Sequence, residues 1–268
     1  MYKIIFSDID GTLLNSEREL STLTIDTIKK LPREIPFILI SSRMPAAMRH
    51  LQESIGISHL PFISYNGGLI KVDDKTVSST MIPIEILKDL IQYNTTHNVH
   101  LSLFHDDEWY APQVDFWTQR EINNTKVQPQ IKSNSEVYED WKKESKGIHK
   151  IMAMGEEAGI EKIYAYLDEK FPEELHLYRS KPTYIEIAPK KISKLTAVDF
   201  LLKNHFNIPL SHSLAFGDNY NDIEMLQGVG MGVAVGNARP EVLEIAHLVA
   251  APGKEDGVAK TMVELLKL

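Results

Sequence analysis

The chain of 268 residues contains no cysteine. This absence excludes thiol nucleophiles, thiolate metal ligands and disulfides, and it fits a reducing compartment, so a cytoplasmic location is the default expectation. Positive charge is also in short supply, because 29 Lys and Arg residues face 37 Asp and Glu residues and the formal net charge is −8. We therefore expect no general affinity for nucleic acid or for an anionic membrane surface.

Long hydrophobic runs are missing as well. No segment reaches the roughly 18 uninterrupted apolar residues of a membrane-spanning helix, and the apolar stretch after Met1 is too short for a signal peptide. We therefore expect neither export nor a membrane span. The composition, with 43% hydrophobic and 25% charged residues, is that of a globular protein, and the length suffices for one large or two modest domains.

The two ends of the chain share one pattern of strands and helices. Continuous apolar runs at residues 3–7 and 36–41 flank a segment with helical spacing, which is typical of parallel strands that helices cover on both faces. The same alternation returns after residue 190, whereas the elements between these parts are shorter, more aromatic and mixed. We predict an α/β fold with a Rossmann-like parallel-sheet core at 1–80 and 190–268 and an inserted α+β cap domain at 81–189.

Two carboxylates, Asp8 and Asp10, directly follow the first predicted strand. Open α/β sheets bind ligands at the carboxyl ends of their strands, so both side chains would emerge where a ligand is expected. Taken alone, the segment is equally compatible with a polar turn, in which the carboxylates cap local N–H groups and Gly11 turns the chain.

Hydroxyl groups and a lysine occupy two further positions of this kind. Ser41 and Ser42 close the second predicted strand, where they suit an anion, although taken alone they are better explained by a serine cap ahead of the helix at Pro45. Lys194 stands in the first turn of a helix predicted over 192–206, where the helix dipole disfavours a cation. Lysines are nevertheless common on exposed helix surfaces, so this position alone is a weak signal.

A second acidic loop, at residues 217–222, follows another apolar strand and leads into a short helix. Helix capping accounts for Asn221 or Asp222, because both residue types accept hydrogen bonds from the first N–H groups of a helix. Capping does not account for Asp218, which sits directly at the strand exit. Acidic pair, hydroxyl, lysine and acidic loop, in this order, form a far more specific pattern than any one of them.

These four segments resemble the four motifs of the haloacid dehalogenase superfamily. The residues that carry the resemblance are Asp8-Ile-Asp-Gly-Thr-Leu-Leu, Ser41, Lys194 and Gly217-Asp-Asn-Tyr-Asn-Asp222. Residues 187–194, Met225-Leu226 and Val235-Gly-Asn-Ala238 are similar, more narrowly, to Cof-type hydrolases, whose type II α/β cap lies between the second and third motifs. Ser41-Ser42-Arg43 replaces the usual Thr-Gly-Arg, and Lys191 and Leu195 replace common glycines, but no chemical group that the mechanism needs is lost.

The resemblance implies a Mg²⁺-dependent phosphatase that acts on small phosphorylated metabolites through an aspartyl-phosphate. Asp8 is the expected nucleophile, and Asp10 the expected general acid and base. Mg²⁺ is expected on the carboxylates of Asp8 and Asp218 and on the backbone carbonyl of Asp10. The residues expected to bind the phosphate are Ser41, Ser42, Lys194 and Asn221, with Asp222 beside or behind them.

The cap is expected to select the leaving group, but its candidate side chains are of types that more often belong to a core: His105, Trp109, Tyr110, Arg179 and Thr183. Asn66, in the Asn-Gly turn of a hairpin predicted at 61–72, is expected to be structural, with a ligand role left open. Two alternative functions remain: a phosphosugar mutase or dedicated sugar-phosphate phosphatase of the same superfamily, and a non-catalytic module that binds a cation or ligand. The sequence identifies neither the substrate nor the oligomeric state.

Overall fold

A computed structural model describes residues 2–268, apart from the side chain of Ser180. The chain divides into two compact units: the first contains Met1–Arg43, Met48–Ser78 and Ser193–Leu268, and the second contains Met44–Ala47 and Ser79–Ile192. Across the described residues, no helix combines the length and the apolar character that crossing a bilayer requires.

Strands and helices alternate along most of the chain. In order, the strands are β1 Ile4–Ser7, β2 Phe37–Ile40, β3 Phe62–Ser64, β4 Leu69–Val72, β5 Lys75–Ser79, β6 His100–His105, β7 Glu108–Ala111, β8 Gln130–Ile131, β9 Lys150–Met154, β10 Leu175–Lys181, β11 Tyr184–Pro189, β12 Ser213–Gly217, β13 Met231–Ala234 and β14 Leu248–Val249. The α-helices are α1 Thr22–Lys29, α2 Ala46–Ile55, α3 Ile84–Asn94, α4 Phe116–Thr125, α5 Asn134–Lys143, α6 Glu157–Lys170, α7 Lys194–Leu201, α8 Ile223–Gly228, α9 Pro240–Ile245 and α10 Gly257–Leu266.

The first sheet has the strand order β14-β13-β12-β1-β2-β3-β4-β5. Its strands from β14 to β3 are parallel, and β4 pairs with β3 in the antiparallel direction. Successive residues of β1 enter different cores, because Ile5 packs into the cluster on one face while Ile4 and Phe6 pack into the cluster on the other. Burial on both faces explains the unalternated apolar runs, and the predicted parallel-sheet core is confirmed.

The second sheet has the strand order β10-β11-β9-β6-β7-β8 and is antiparallel except between β7 and β8. One of its faces is apolar: Leu101 and Leu103 of β6 share a buried cluster with Leu87 of α3, Trp141 of α5 and Ile163 of α6. An antiparallel sheet that packs helices against one face is an α+β arrangement, so the predicted class of the inserted segment is confirmed.

The helix that carries Lys194 is shorter than the one predicted over 192–206. It begins at Lys194 because the Oγ of Ser193 accepts a hydrogen bond from the backbone N–H of Thr196, which caps the helix. After Leu201 the α-helical geometry gives way to a π-helical segment, Leu202–Phe206. Lys194 is therefore the first residue of α7, and its predicted place in the first turn of the helix is confirmed.

The predicted hairpin at 61–72 is confirmed, and its turn packs tightly against the start of α7. Tyr65, Asn66 and Gly67 have φ angles of 53°, 55° and 106°. A Cβ atom on Gly67 would lie 2.6 Å from the backbone oxygen of Ser193 and 3.0 Å from the Cβ of Ala197. The turn therefore requires glycine here both for its backbone conformation and for its distance from α7.

Replacing this glycine tests how far the turn supports α7. We expect Gly67→Ala to lower the free energy of unfolding by about 2–4 kcal/mol, because the new Cβ adds a clash with backbone to the strain of a positive φ. Gly56→Ala is the matched control: Gly56 also has a positive φ of 76°, but the nearest atom to its Cβ would be 3.8 Å away, so we expect about 1 kcal/mol. Urea denaturation measures both, and equal losses would contradict the packing argument.

Candidate active site

Three neighbouring parallel strands deliver the site residues to one edge of the first sheet. Strand β1 lies between β2 and β12. Asp8 follows β1, Ser41 follows β2 and Asp218 follows β12. Because parallel strands end at the same edge, segments far apart in sequence meet there, as expected for a ligand site in an open α/β sheet.

Lys194 is buried at the centre of this edge. Its Nζ donates hydrogen bonds to Oδ1 of Asp8, at 2.5 Å, and to Oδ1 of Asp222, at 2.6 Å. The start of a helix is an unfavourable place for a cation, but two carboxylates at this distance outweigh the helix dipole. The ammonium group thus joins the end of β1, the loop after β12 and the start of α7.

Three carboxylates form a compact acidic cluster. Asp8, Asp218 and Asp222 each offer one oxygen atom, and these atoms lie within 4.8 Å of one another. Oδ2 of Asp222 accepts hydrogen bonds from the backbone N–H groups of Asp218, at 2.9 Å, and Asn219, at 3.0 Å, while its Oδ1 faces Lys194. Asp222 therefore fixes the loop and orients the lysine, which leaves Asp8 and Asp218 as the better placed carboxylates for a ligand.

The two residues that follow Asp10 lie next to the carboxylate of Asp218. The hydroxyl of Thr12 donates a hydrogen bond to Oδ1 of Asp218 at 2.8 Å. Gly11, with φ of 87°, lies so near that a Cβ there would be 2.4 Å from Oδ2 of Asp218. The turn after β1 thus needs glycine at this position to admit the carboxylate.

The acidic cluster holds more negative charge than its surroundings compensate. Burial raises the pKa of Asp8 well above its ordinary value, against the opposing effect of Lys194, and the charges of Asp222 and Asp218 raise it further. Burial, followed by the charge of Asp222, raises the pKa of Asp218 to about 6. Burial lowers the pKa of Lys194, but Asp222 and Asp8 outweigh burial and hold it above the ordinary value, so the lysine stays charged.

A divalent cation fits this donor set. Mg²⁺ prefers carboxylate and carbonyl oxygens, and the cluster consists of carboxylate oxygens close enough to share one ion. A bound cation would also favour the ionised form of both carboxylates whose pKa is raised. The chemistry of the residues therefore agrees with the metal that the sequence predicts.

Asp10 lies at the same edge, but its carboxylate is directed towards Arg43. Nε of Arg43 donates to Oδ2 of Asp10 at 2.7 Å, and Nη2 donates to Oδ1 at 2.8 Å. Arg18 makes a longer contact with Oδ1, at 3.4 Å. The carboxylate of Asp10 is thus engaged by a two-pronged ion pair with Arg43.

The predicted phosphate-binding residues are linked through Asn66. Asn221 donates from Nδ2 to Oδ1 of Asn66 at 2.9 Å, and the backbone N–H of Asn66 donates to the carbonyl of Ser41 at 2.9 Å. Ser41 is buried and its Oγ accepts from the backbone N–H of Arg43, while Ser42 is half-buried beside it. Asn66 therefore connects the loop after β2, through its backbone N–H, with the loop after β12, through its side chain.

Each of the five candidate residues of the inserted unit makes a contact within that unit, which for Thr183 is a backbone contact. Trp109 stacks on Phe104, Tyr110 meets Trp141 edge-on, His105 hydrogen-bonds to the carbonyl of Gly147, Arg179 pairs with Glu161, and the carbonyl of Thr183 accepts from the N–H of Gly155. These contacts agree with the expectation that such residues are structural.

Three residues of the site received no role from the sequence. Thr12 and Arg43 contact the two predicted carboxylates Asp218 and Asp10. Asn237 donates to the carbonyl of Gly11 at 2.9 Å and accepts from the N–H of Gly253 at 2.7 Å, which braces the turn after β1. All three lie inside segments that carry the family resemblance, so their position in these motifs could have marked them as residues of the site.

Comparison with known proteins identifies the family. The profile of the haloacid dehalogenase-like hydrolases matches residues 5–262, and the chain belongs to this family. It is 34% identical over 270 residues to a candidate phosphatase of Haemophilus influenzae, covering 98% of each chain. It is 26% identical over 275 residues to 5-amino-6-(5-phospho-D-ribitylamino)uracil phosphatase of Bacillus subtilis, covering 99% of this chain and 98% of that one.

A solved structure shares the whole fold. A haloacid dehalogenase-like hydrolase from Bacteroides thetaiotaomicron superposes with a TM-score of 0.90 at 25% identity, over 99% of this chain and all of that one (100%). Together with the family match, this similarity confirms the predicted superfamily and the predicted enzyme, a hydrolase with a parallel-sheet core and a second sheet. The relatives support the class of phosphoric monoester hydrolases.

Asp218→Asn tests whether the acidic cluster is destabilising without a cation. The pKa of Asp218 in the fold, about 6, lies above its ordinary value, so its contribution to stability is fully present below about pH 4 and is lost as the pH rises through 6. In EDTA at pH 8 we expect the variant to be more stable than the native chain by about 1–2 kcal/mol. The gain should vanish near pH 4.

Saturating Mg²⁺ should reverse the order of stability, because only the native chain gains the full free energy of cation binding. Thermal unfolding of both proteins in EDTA and in Mg²⁺ measures the reversal. Asp199→Asn is the control: Asp199 of α7 pairs with Lys203 of the π-helical segment, and the variant should show neither effect. An equal rise of the unfolding temperature in the native chain and in Asp218→Asn would show that Asp218 is not a ligand.

Proposed function

We propose that the protein is a Mg²⁺-dependent phosphatase that hydrolyses small phosphomonoesters through an aspartyl-phosphate intermediate. The observation that carries the proposal is the buried Lys194 ammonium, 2.5 Å from Oδ1 of Asp8 at the carboxyl edge of the sheet. A permanent positive charge beside a carboxylate that follows a strand is what attack on a phosphate dianion demands. The activity named for the Bacillus subtilis relative supports the same chemistry.

Asp8 and Asp218, with the backbone carbonyl of Asp10, are the residues that would hold Mg²⁺. When bound, the ion supplies positive charge against the repulsion between carboxylate and phosphate. Asp222 does not join them, because both of its oxygens already serve Lys194 and the loop N–H groups. Its role is to keep the lysine and Asp218 in place.

The first step transfers the phosphoryl group to the protein. An Oδ atom of Asp8 forms a bond to phosphorus while the bond from phosphorus to the ester oxygen breaks. Asp10 gives a proton to that oxygen, so the alcohol leaves neutral. Lys194 and the hydroxyl of Ser41 hold the phosphoryl oxygens, with Ser42 and Asn221 beside them, and balance the charge that shifts onto these atoms.

The second step releases inorganic phosphate. Asp10, now ionised, takes a proton from a water molecule whose oxygen attacks phosphorus, and the bond between phosphorus and Asp8 breaks. Asp8 returns to its carboxylate form and the two proton transfers cancel. One carboxylate forms the covalent bond while its neighbour moves the protons, a division of roles that gives the spacing of Asp8 and Asp10 a chemical purpose.

The substrate class follows from the reaction and from the relatives. A site that recognises a phosphate through one ammonium group, hydroxyls and an amide suits a sugar phosphate or a phosphorylated cofactor. The partner is therefore a small phosphorylated metabolite. A panel of such compounds, assayed for phosphate release with Mg²⁺, is the experiment that identifies the preferred one.

The test of the proposed function is phosphate release by the full chain and by Asp8→Asn. We expect turnover that EDTA abolishes and Mg²⁺ restores, and a loss of about 10⁴-fold or more in Asp8→Asn, because the amide is not a nucleophile. Asp199→Asn, with the same exchange away from the site, should retain full activity. Activity that requires a bisphosphate activator and releases no phosphate would indicate a mutase, and Mg²⁺ binding without any turnover would indicate a binding module.

A further inference from the structure

The guanidinium of Arg43 is an unusually well fixed partner for an exposed carboxylate. The Arg43 side chain is 5% exposed, whereas that of Asp10 is 40% exposed. The main chain of Arg43 is held on both sides: its N–H donates to Oγ of Ser41 at 3.2 Å, and its carbonyl accepts from the N–H of Tyr65 at 3.2 Å. The position of the guanidinium is thus set by the end of β2 and by the turn after β3.

Because the position of Arg43 is fixed, its two hydrogen bonds also fix the position of the Asp10 carboxylate. Nε and Nη2 of Arg43 each donate to a different oxygen of the carboxylate, at 2.7 and 2.8 Å. A planar guanidinium that bonds both oxygens fixes the rotation of the carboxylate as well as its location, which a single contact cannot do. Both oxygens of the carboxylate therefore keep a defined direction relative to the guanidinium.

Arg18 provides the contrast within the same site. It reaches only Oδ1 of Asp10, at 3.4 Å, and its side chain is 47% exposed. Exposed single ion pairs contribute little and do not fix orientation. Of these two arginines, Arg43 therefore determines where the carboxylate of Asp10 points.

We propose that Arg43 is a positioning residue for proton transfer: its guanidinium holds the carboxylate of Asp10 in the orientation from which the proton moves to the leaving oxygen and later from water. The proposal rests on the proposed function and adds to it a residue that acts through Asp10. Proton transfer requires hydrogen-bond distance to the reacting oxygen, so a freely rotating Asp10 would lose most of its effect.

The two chemical steps depend on Asp10 to different extents when the leaving group is changed. Release of p-nitrophenolate needs no proton, because this anion is stable. Phenolate is a poorer leaving group, so phenyl phosphate reacts faster when a proton is donated to its ester oxygen. Hydrolysis of the aspartyl-phosphate needs Asp10 as a base with either substrate. Loss of Arg43 should therefore spare phosphorylation of Asp8 by p-nitrophenyl phosphate and slow the hydrolysis that follows, so the phosphorylated protein accumulates.

The experiment compares the native chain with Arg43→Met, Arg43→Lys and Arg18→Met in Mg²⁺, using phenyl phosphate and p-nitrophenyl phosphate, which have nearly the same shape. For Arg43→Met we expect kcat on phenyl phosphate to fall about 100-fold or more with KM changed less than about 3-fold. On p-nitrophenyl phosphate we expect a rapid burst of one equivalent of nitrophenolate before a slow steady state. Arg43→Lys should lose about 10-fold, and Arg18→Met less than about 2-fold.

Two results would overturn the proposal. An equal loss on both substrates without a burst would assign Arg43 a structural role, and a raised KM with unchanged kcat would make it a phosphate-binding residue. Thermal unfolding shows whether Arg43→Met is folded. If it is not, the proposal is tested on Arg43→Lys, by its burst and by the ratio of its kcat values on the two substrates. A native chain without turnover on any phosphomonoester overturns the proposed function as well, whereas an active native chain with uniformly impaired Arg43 variants overturns this inference alone.

Discussion

The fully buried ammonium group of Lys194, shared between Asp8 and Asp222, is the interaction on which the arrangement of the site depends. The three residues come from the start of α7, the end of β1 and the loop after β12. Removing one member of a buried ion pair leaves an uncompensated charge, at a cost of about 3–5 kcal/mol. The three segments are therefore strongly favoured in one relative placement, and the turn at Gly67 packs against the start of α7.

The same charges make the site a compromise between stability and function. One lysine faces three carboxylates, and the raised pKa of Asp8 and of Asp218 is the sign that their ionised forms are disfavoured in this arrangement. A fold selected only for stability would not place them so close. Such local conflicts are expected at functional sites, where the surrounding core supplies the stability that they cost.

The sequence allowed the core sheet to be predicted because burial on both faces leaves an unmistakable pattern in β1 and β2. The elements of the inserted unit were harder to predict from the sequence. Helix α4 buries Thr118 and Thr125 rather than large apolar side chains, so it has no clear apolar stripe. Strand β6 buries His100 and Ser102, whose partners are each other and Asp115, and such polar burial is visible only once the tertiary contacts exist.

For the site, the order of motifs was enough to bring together Asp8, Lys194 and Asp218, while their catalytic roles stay predictions. The direction of the Asp10 side chain was not accessible from spacing. It depends on Arg43, a residue on another strand end, and an alternating strand or a turn motif says nothing about which cation a carboxylate will meet. Orientation within the site is thus a property of the assembled sheet.

The separation of partners along the chain has a consequence for how the protein is made. Strand β1 pairs with β12, and Asp8 meets Lys194 across 186 positions, whereas the inserted sheet is drawn from one continuous segment, Ser79–Ile192. During synthesis from the N-terminus, that segment is complete before β12 has left the ribosome. Until β12 emerges, one edge of β1 is unpaired, so the first sheet is completed only after the inserted segment has been made.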